Sequence, residues 1–238
     1  MKLNADVGEG AWTDEALMPW IDWANIACGE HAGGTEEMKR TVALAMTHGV
    51  IIGAHPGYPD RDNFGRISIP MAPGDITRLV ADQVENLNTI CQLMGAQVAY
   101  IKPHGALYHD MMQHPHVFEE ILHAASGPSN PLPVAVMAQA GEARLQHPLQ
   151  SENVPLVFEA FADRAYAQGG GLMDRAQAGA VFDSVGPILA QVQHIVNHNS
   201  VTTANDTSLA IKADSICVHG DNPASIAAIH QIFHLLHP

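Results

Sequence analysis

A short apolar run, then a polar glycine-rich stretch, then a helical pattern: this order recurs along the whole chain and limits what it can fold into. The runs are Lys2–Val7, Asn25–Cys28, Val50–Ala54, Gln97–Ile101, Leu132–Met137, Val154–Phe161 and Asp214–Val218. Helical patterns run from about Asp14 to Trp23, from Thr35, from Asp75 to about Met94, from Pro115 to Ala125, from Glu142 to Leu145, from Asp183 to His198, and from Pro223 to about Leu236. Thr35 is suited to cap its helix, Glu36 and Glu37 to face its positive end, and Pro223 to sit in a first turn. Strands that each need a helix to return predict a parallel α/β protein. Unbroken alternation favours closure into a β/α barrel of about seven strands over an open sheet, as one domain spanning residues 1–238. Ala165 to Arg175, with Gly169-Gly170-Gly171, reads as a hairpin-like excursion over a site, and residues 199–213 have room for a short edge strand.

Charge and cysteine count narrow the function. A formal charge of -14, from 11 basic and 25 acidic side chains, argues against nucleic acid and anionic membrane as partners and leaves a small-molecule substrate. The three cysteines, Cys28, Cys91 and Cys217, are too scattered for a disulfide or zinc framework. Met1 to Asp6 lacks the apolar core of a signal peptide, and no apolar run reaches about 18 residues, so a reducing cytoplasm is the expected setting. Trp12, Trp20 and Trp23 fall on the first helix and the loop before it, as core packing or a subunit contact.

The chemistry concentrates where runs end. Ile101-Lys102-Pro103-His104-Gly105 puts a cation beside an imidazole, which a core has no use for; Pro103 stops strand pairing and Gly105 allows a sharp exit. Asn4 and Asp6 share one face of the first strand by the period of two, and Glu9 follows. Other ends carry His31, then His55 with Asp60, then Glu159, Asp163 and Arg164, then His219 and Asp221. In a parallel barrel these ends meet at one rim. Four chemistries fit such a rim. An Asp/His set could hold zinc or another divalent ion, although no His-Glu-x-x-His spacing is present. Metal-free acid–base catalysis on an amide, with Lys102 and Arg164 holding negative charge, is preferred. Cys28 could act as a nucleophile near His31, or the rim could bind a ligand without chemistry. No Gly-x-x-x-x-Gly-Lys-Ser/Thr or well-formed Gly-x-Gly-x-x-Gly marks a nucleotide site.

Several longer motifs are distinctive: Leu3-Asn4-Ala5-Asp6-Val7-Gly8-Glu9; Ala24-Asn25-Ile26-Ala27-Cys28-Gly29 with His31-Ala32-Gly33; Gly53-Ala54-His55-Pro56; and Phe64-Gly65-Arg66. Further on come Lys102-Pro103-His104-Gly105-Ala106-Leu107-Tyr108, Phe161-Ala162-Asp163-Arg164-Ala165-Tyr166, and Ile216-Cys217-Val218-His219-Gly220-Asp221-Asn222-Pro223. Together, and in this order, they resemble the LamB/YcsF family, the A subunits of bacterial ATP-hydrolysing 5-oxoprolinase. The chain departs from the family pattern at Glu30, Gly34 and Ile67.

The resemblance implies a glycoside hydrolase/deacetylase-like barrel with fewer than eight strands. It also implies cleavage of 5-oxo-L-proline to L-glutamate, with ATP as co-substrate and B and C subunits as partners that bind the nucleotide. On this reading Asp6 or His104 is the general base, and Lys102 and Arg164 hold the substrate carboxylate or a phosphorylated oxygen. Asn4, His31, His55, Glu159, Asp163, His219 and Asp221 contact the substrate. No metal ligand is assigned, and a divalent ion is left open. Lys102→Ala is expected to abolish turnover with folding intact. The rivals are a stand-alone metal-dependent amide or carbohydrate deacetylase, and a non-catalytic binding or regulatory subunit.

Overall fold

The computed structural model describes residues 1–10, 12–127, 131–138 and 153–238. Seven parallel strands close into a barrel: β1 (Lys2–Val7), β2 (Trp23–Ala27), β3 (Ile51–His55), β4 (Tyr100–Ile101), β5 (Val134–Met137), β6 (Leu156–Phe161) and, after an excursion, β9 (Ser215–His219), which pairs with both β6 and β1. The short β7 (Ser200–Thr202) and β8 (Ser208–Ala210) form a separate antiparallel pair, not an edge strand of the barrel. The helices are α1 (Asp14–Leu17), α2 (Thr35–His48), α3 (Asp75–Leu93), α4 (Gly105–Gln113), α5 (Pro115–Ala125), α6 (Val185–His198) and α7 (Pro223–Leu236). Among the described residues, no helix is long and apolar enough to cross a membrane.

Alternation along each strand decides what faces where. In β1, Leu3, Ala5 and Val7 join the buried core under the helices, while Asn4 and Asp6 turn into the barrel lumen. The lumen is polar: Asn25 donates to both Asn4 and Asp6, Tyr100 donates to Asn25, and Glu159 meets Asn4. Gly53 makes room for this network, because a Cβ there would overlap the Tyr100 ring. Gly53→Ala is therefore expected to cost about 1–3 kcal/mol by overpacking, read as a lower urea midpoint.

Several boundaries differ from the sequence expectation. The first helix is one turn, running into a 3₁₀ turn at Met18–Trp20, because Pro19 lacks an N–H and Trp23 already begins β2. Trp23 packs against Tyr100 and Trp20 against His230 and Phe233 of α7, while Trp12 is exposed. Thr35 does not cap α2: Gly34 holds the cap position without a side-chain bond, and Gly49 ends the helix in the left-handed region. Asn222 caps α7 through Ala224 N–H, with Pro223 in the first turn as expected. Only Tyr100 and Ile101 of Gln97–Ile101 are strand. Residues 105–113, expected as an exit loop, form α4. Gly105 is required at its start, since its φ is +52° and a Cβ would press on the Gly65 carbonyl oxygen at 2.5 Å. The helix expected over Glu142 to Leu145 lies outside the described residues.

Candidate functional site at the carboxyl rim

The strand ends meet around a cavity of about 540 Å³. Its floor is Asp6, Glu9, His55, Lys102, His104 and His219, and its wall carries Arg66, Arg164, Arg175 and Asp221. Of the residues singled out from sequence, Asp6, His55, Lys102, His104, Arg164, His219 and Asp221 line this space. Asn4 and Glu159 sit below it in the lumen, and His31 and Asp163 behind the residues that face it.

Lys102 is the hub of the floor. Its ammonium donates to Asp6 Oδ1 at 2.8 Å, to Cys217 Sγ at 2.9 Å and to Asn4 Oδ1 at 3.3 Å, and lies 3.4 Å from Glu159 Oε2. An ammonium has three protons, and all are taken up within the protein. Its three donors hold Asp6, Asn4 and Cys217 in place. Burial alone would push the ammonium down, but Asp6, Cys217 and Glu159 hold it well above the usual lysine value. Burial would likewise raise Asp6; His55 and Lys102 overcome it and keep the carboxyl well below the usual range. Asp6 Oδ1 is also bound by Asn25 at 2.7 Å, and Oδ2 lies 3.5 Å from His55 Nε2.

Three imidazoles and a carboxylate pack at the other side of the floor. The rings of His31 and His104 stack with centroids 3.8 Å apart, and His55 meets both edge-on. Glu9 Oε1 lies 3.4 Å from His31 Nε2 and from His104 Nδ1. Burial and neighbouring imidazoles push His104 well below the usual histidine range, and His31 down to about 2; burial and Asp6 push Glu9 up. His104 Nε2 meets the Phe64 carbonyl oxygen at 2.9 Å, and its Nδ1 lies 3.0 Å from His55 Nε2. Glu9, His31, His55 and His104 have the donor set and closeness to hold a metal ion. A second group, Asp6, Cys217 and His219, is equally close, but the Lys102 ammonium already sits on Asp6 and Cys217.

Asp163 orients His219. Its Oδ1 is 2.8 Å from His219 Nδ1, and its Oδ2 accepts from Ser225 at 2.7 Å and from the His219 and Asn222 amide groups at 3.3 Å. His219 lines the cavity, and among the described residues its Nε2 has no hydrogen-bond partner. Burial raises Asp163, but His219 and these hydrogen bonds bring it down to about 2. A folded-state pKa below the unfolded one stabilises the fold above about pH 4, and this contribution is lost as pH falls through about 2. It is on the order of 2 kcal/mol. Urea unfolding at stepwise lower pH is expected to show this loss, and Asp163→Asn to flatten that part of the profile.

On the wall, Arg164 donates to the Met173 and Ala180 carbonyls, which pins the excursion over the rim. Antiparallel bridges Arg164–Val181 and Tyr166–Leu172 give that excursion its hairpin character. Burial and Arg175 lower Arg164 to about 10, so it remains a cation at neutral pH. Asp221 spans the mouth between Arg66, at 2.8 Å, and Arg175, at 3.4 Å. Cys28 follows β2 and is buried. Its thiol donates to the Ile26 carbonyl inside the core, and burial pushes it up to about 12, which disfavours a thiolate there.

Sequence reasoning places Glu9 among the rim's polar groups without a role, and assigns none to Arg66, Arg175, Asn25 or Cys217. Glu9 follows β1 by two residues and Asn25 pairs in register with Asp6, so both are within reach of the period-two argument. Arg66 belongs to the Phe64-Gly65-Arg66 motif, while Arg175 reaches the cavity from a distant loop.

A closed parallel barrel with its polar groups gathered at the carboxyl ends of the strands is the architecture of a β/α-barrel ligand-handling or catalytic domain. The chain belongs to the LamB/YcsF family, whose model matches residues 1–238. It is 44% identical over 237 residues to the 5-oxoprolinase A subunit of Vibrio cholerae serotype O1, covering 98% of this chain and 96% of that protein. It is 46% identical over 235 residues to that of Vibrio vulnificus, covering 97% and 94%. The crystal structure of a lactam utilization protein from Thermus thermophilus superposes with a TM-score of 0.89 at 28% identity, over 100% of this chain and 97% of that one.

Proposed function

We propose that this chain is the A subunit of a cytoplasmic ATP-hydrolysing 5-oxoprolinase, which opens 5-oxo-L-proline to L-glutamate together with B and C subunits. The observation that carries this reading is the polarity of the cavity: a guanidinium wall of Arg66, Arg164 and Arg175 stands over a floor of Asp6, Glu9 and imidazoles. A small lactam with a carboxylate has the same two ends. The near-full-length likeness to the 5-oxoprolinase A subunits of the two Vibrio species supports the same substrate.

A lactam carbon is a poor electrophile. Transfer of the γ-phosphoryl group of ATP to the lactam oxygen, releasing ADP, activates that carbon and makes the oxygen a leaving group. Water then adds to the ring carbon, and the carbon–nitrogen bond breaks to give an amine and an acyl phosphate. A second water adds to the same carbon and expels phosphate, leaving the free carboxylate. In this scheme the guanidinium wall holds the substrate carboxylate and the phosphorylated oxygen. Asp6, held anionic, orients the attacking water. His219, fixed by Asp163, takes its proton and passes one to the ring nitrogen. An oxygen of Asp6 and a ring nitrogen of His219 lie within 4.8 Å of one another, a span one water bridges. The nucleotide is held with the partner subunits.

Heavy-oxygen labelling of the lactam carbonyl tests the scheme in the assembled complex. Label recovered in inorganic phosphate is the expected result; label retained wholly in glutamate would contradict this sequence of steps. The cluster of Glu9, His31, His55 and His104 favours a second reading, a metal-dependent amide hydrolase, which predicts ring opening without nucleotide.

A further inference from the structure

Four consecutive staves of the barrel each contribute one group to the same point: Glu9 after β1, His31 after β2, His55 at the end of β3 and His104 after β4. The hydrogen bonds on the far sides of two rings fix their tautomers. His55 Nδ1 lies 2.7 Å from the Lys102 carbonyl oxygen, and His104 Nε2 lies 2.9 Å from the Phe64 carbonyl oxygen. A carbonyl only accepts, so these nitrogens carry the hydrogens. The opposite nitrogens, His55 Nε2 and His104 Nδ1, then present lone pairs to each other at 3.0 Å. Glu9 Oε1 adds a third set of lone pairs, 3.4 Å from His104 Nδ1 and 3.9 Å from His55 Nε2, and His31 Nε2 is 3.4 Å from the same oxygen.

Acceptors facing acceptors need a cation between them. One proton would relieve only one pair, leaving the rest of the cluster uncompensated. We propose that Glu9, His31, His55 and His104 form a binding site for one divalent first-row transition-metal ion, such as zinc. Metal–ligand bonds of about 2.1 Å in a tetrahedron place the ligand atoms roughly 3.4 Å apart, and the four edges given above run from 3.0 to 3.9 Å. Three imidazole nitrogens and one carboxylate oxygen suit zinc, cobalt, manganese or iron better than magnesium or calcium, which prefer all-oxygen sets. The carbonyl partners of His55 and His104 are the outer bonds that orient ligating imidazoles. Glu9, His55 and His104 also face the main cavity, so the ion would reach a ligand there. The proposal does not rest on which substrate the cavity takes.

The test uses the full chain, stripped with chelator and titrated with Zn²⁺ and with Co²⁺, the bound metal being counted by elemental analysis. Surface histidines compete: His230 and His234 on α7 bring their Nε2 atoms to 2.9 Å, and His194 and His198 lie one turn apart on α6. The background therefore carries His198→Ala, His230→Ala and His234→Ala. One tight equivalent is expected in that background, weakened at least about a hundredfold by Glu9→Gln or His104→Gln. No tight equivalent, or binding unmoved by either substitution, overturns the site. Should those variants fold poorly, the cobalt spectrum of the background protein decides. Intense visible bands of a nitrogen-rich, non-octahedral ion support the proposal, and the weak spectrum of an aquo-like ion refutes it.

Discussion

Lys102→Ala is expected to destabilise the fold by about 3–5 kcal/mol in urea unfolding. The ammonium lies 3% exposed, between the carboxylate of Asp6 and the carboxyl group of Glu159. Its removal leaves two acidic groups buried without a cation, and a well-folded domain has only about 5–15 kcal/mol in hand. Lys102→Met, which keeps the volume, should lose nearly as much, showing that charge rather than packing is at stake. Adding Asp6→Asn to Lys102→Met should restore part of the loss, since the two groups are in direct contact. A Lys102→Ala protein that unfolds within about 1 kcal/mol of the parent would contradict this account of the lumen. The sequence alone suggests a catalytic lysine whose loss spares the fold; its contacts with Asp6, Asn4, Cys217 and Glu159 add an expected structural cost.

Asp6→Asn is expected to cut glutamate release by the assembled complex about a hundred- to thousandfold, the equivalent of roughly 2.7–4 kcal/mol of barrier. The substitution keeps the shape and an oxygen for Lys102 and Asn25, so thermal unfolding should move far less than for Lys102→Ala. What it removes is the negative charge that Lys102 and His55 hold in place at the cavity floor. The proposed scheme gives Asp6 the attacking water and not the substrate carboxylate, so kcat should fall while KM moves little. Activity within a few-fold of the parent would make Asp6 a structural group and pass the role to His219 alone.

The barrel was legible because each strand-like run ends abruptly in polar residues and gives way to a helical pattern. The same break exposed Asp6, His55, Lys102, His104 and His219 as rim residues. What could not be read was which of them face the cavity and which support it. Cys217 is 115 residues from Lys102, and only closure of β9 onto β1 brings them together. Asp163 follows a strand end as Arg164 does, yet it turns away beneath His219, a choice made by Ser225 and Asn222 on and before α7. The helix α4 was hidden because Gly105 and Tyr108 look like loop chemistry, while the helix starts at the glycine that packs on Gly65. Arg66, Arg175 and Asp221 meet across the mouth from three loops, a pairing set by tertiary structure alone.

Glutamate release from 5-oxoproline and ATP, measured with this chain alone and then with its B and C partners, tests the proposed function most directly. Release only in the full mixture, with ADP and phosphate formed in step, is the predicted result. Equal release by this chain alone without nucleotide would contradict it and make the barrel a self-sufficient amide hydrolase.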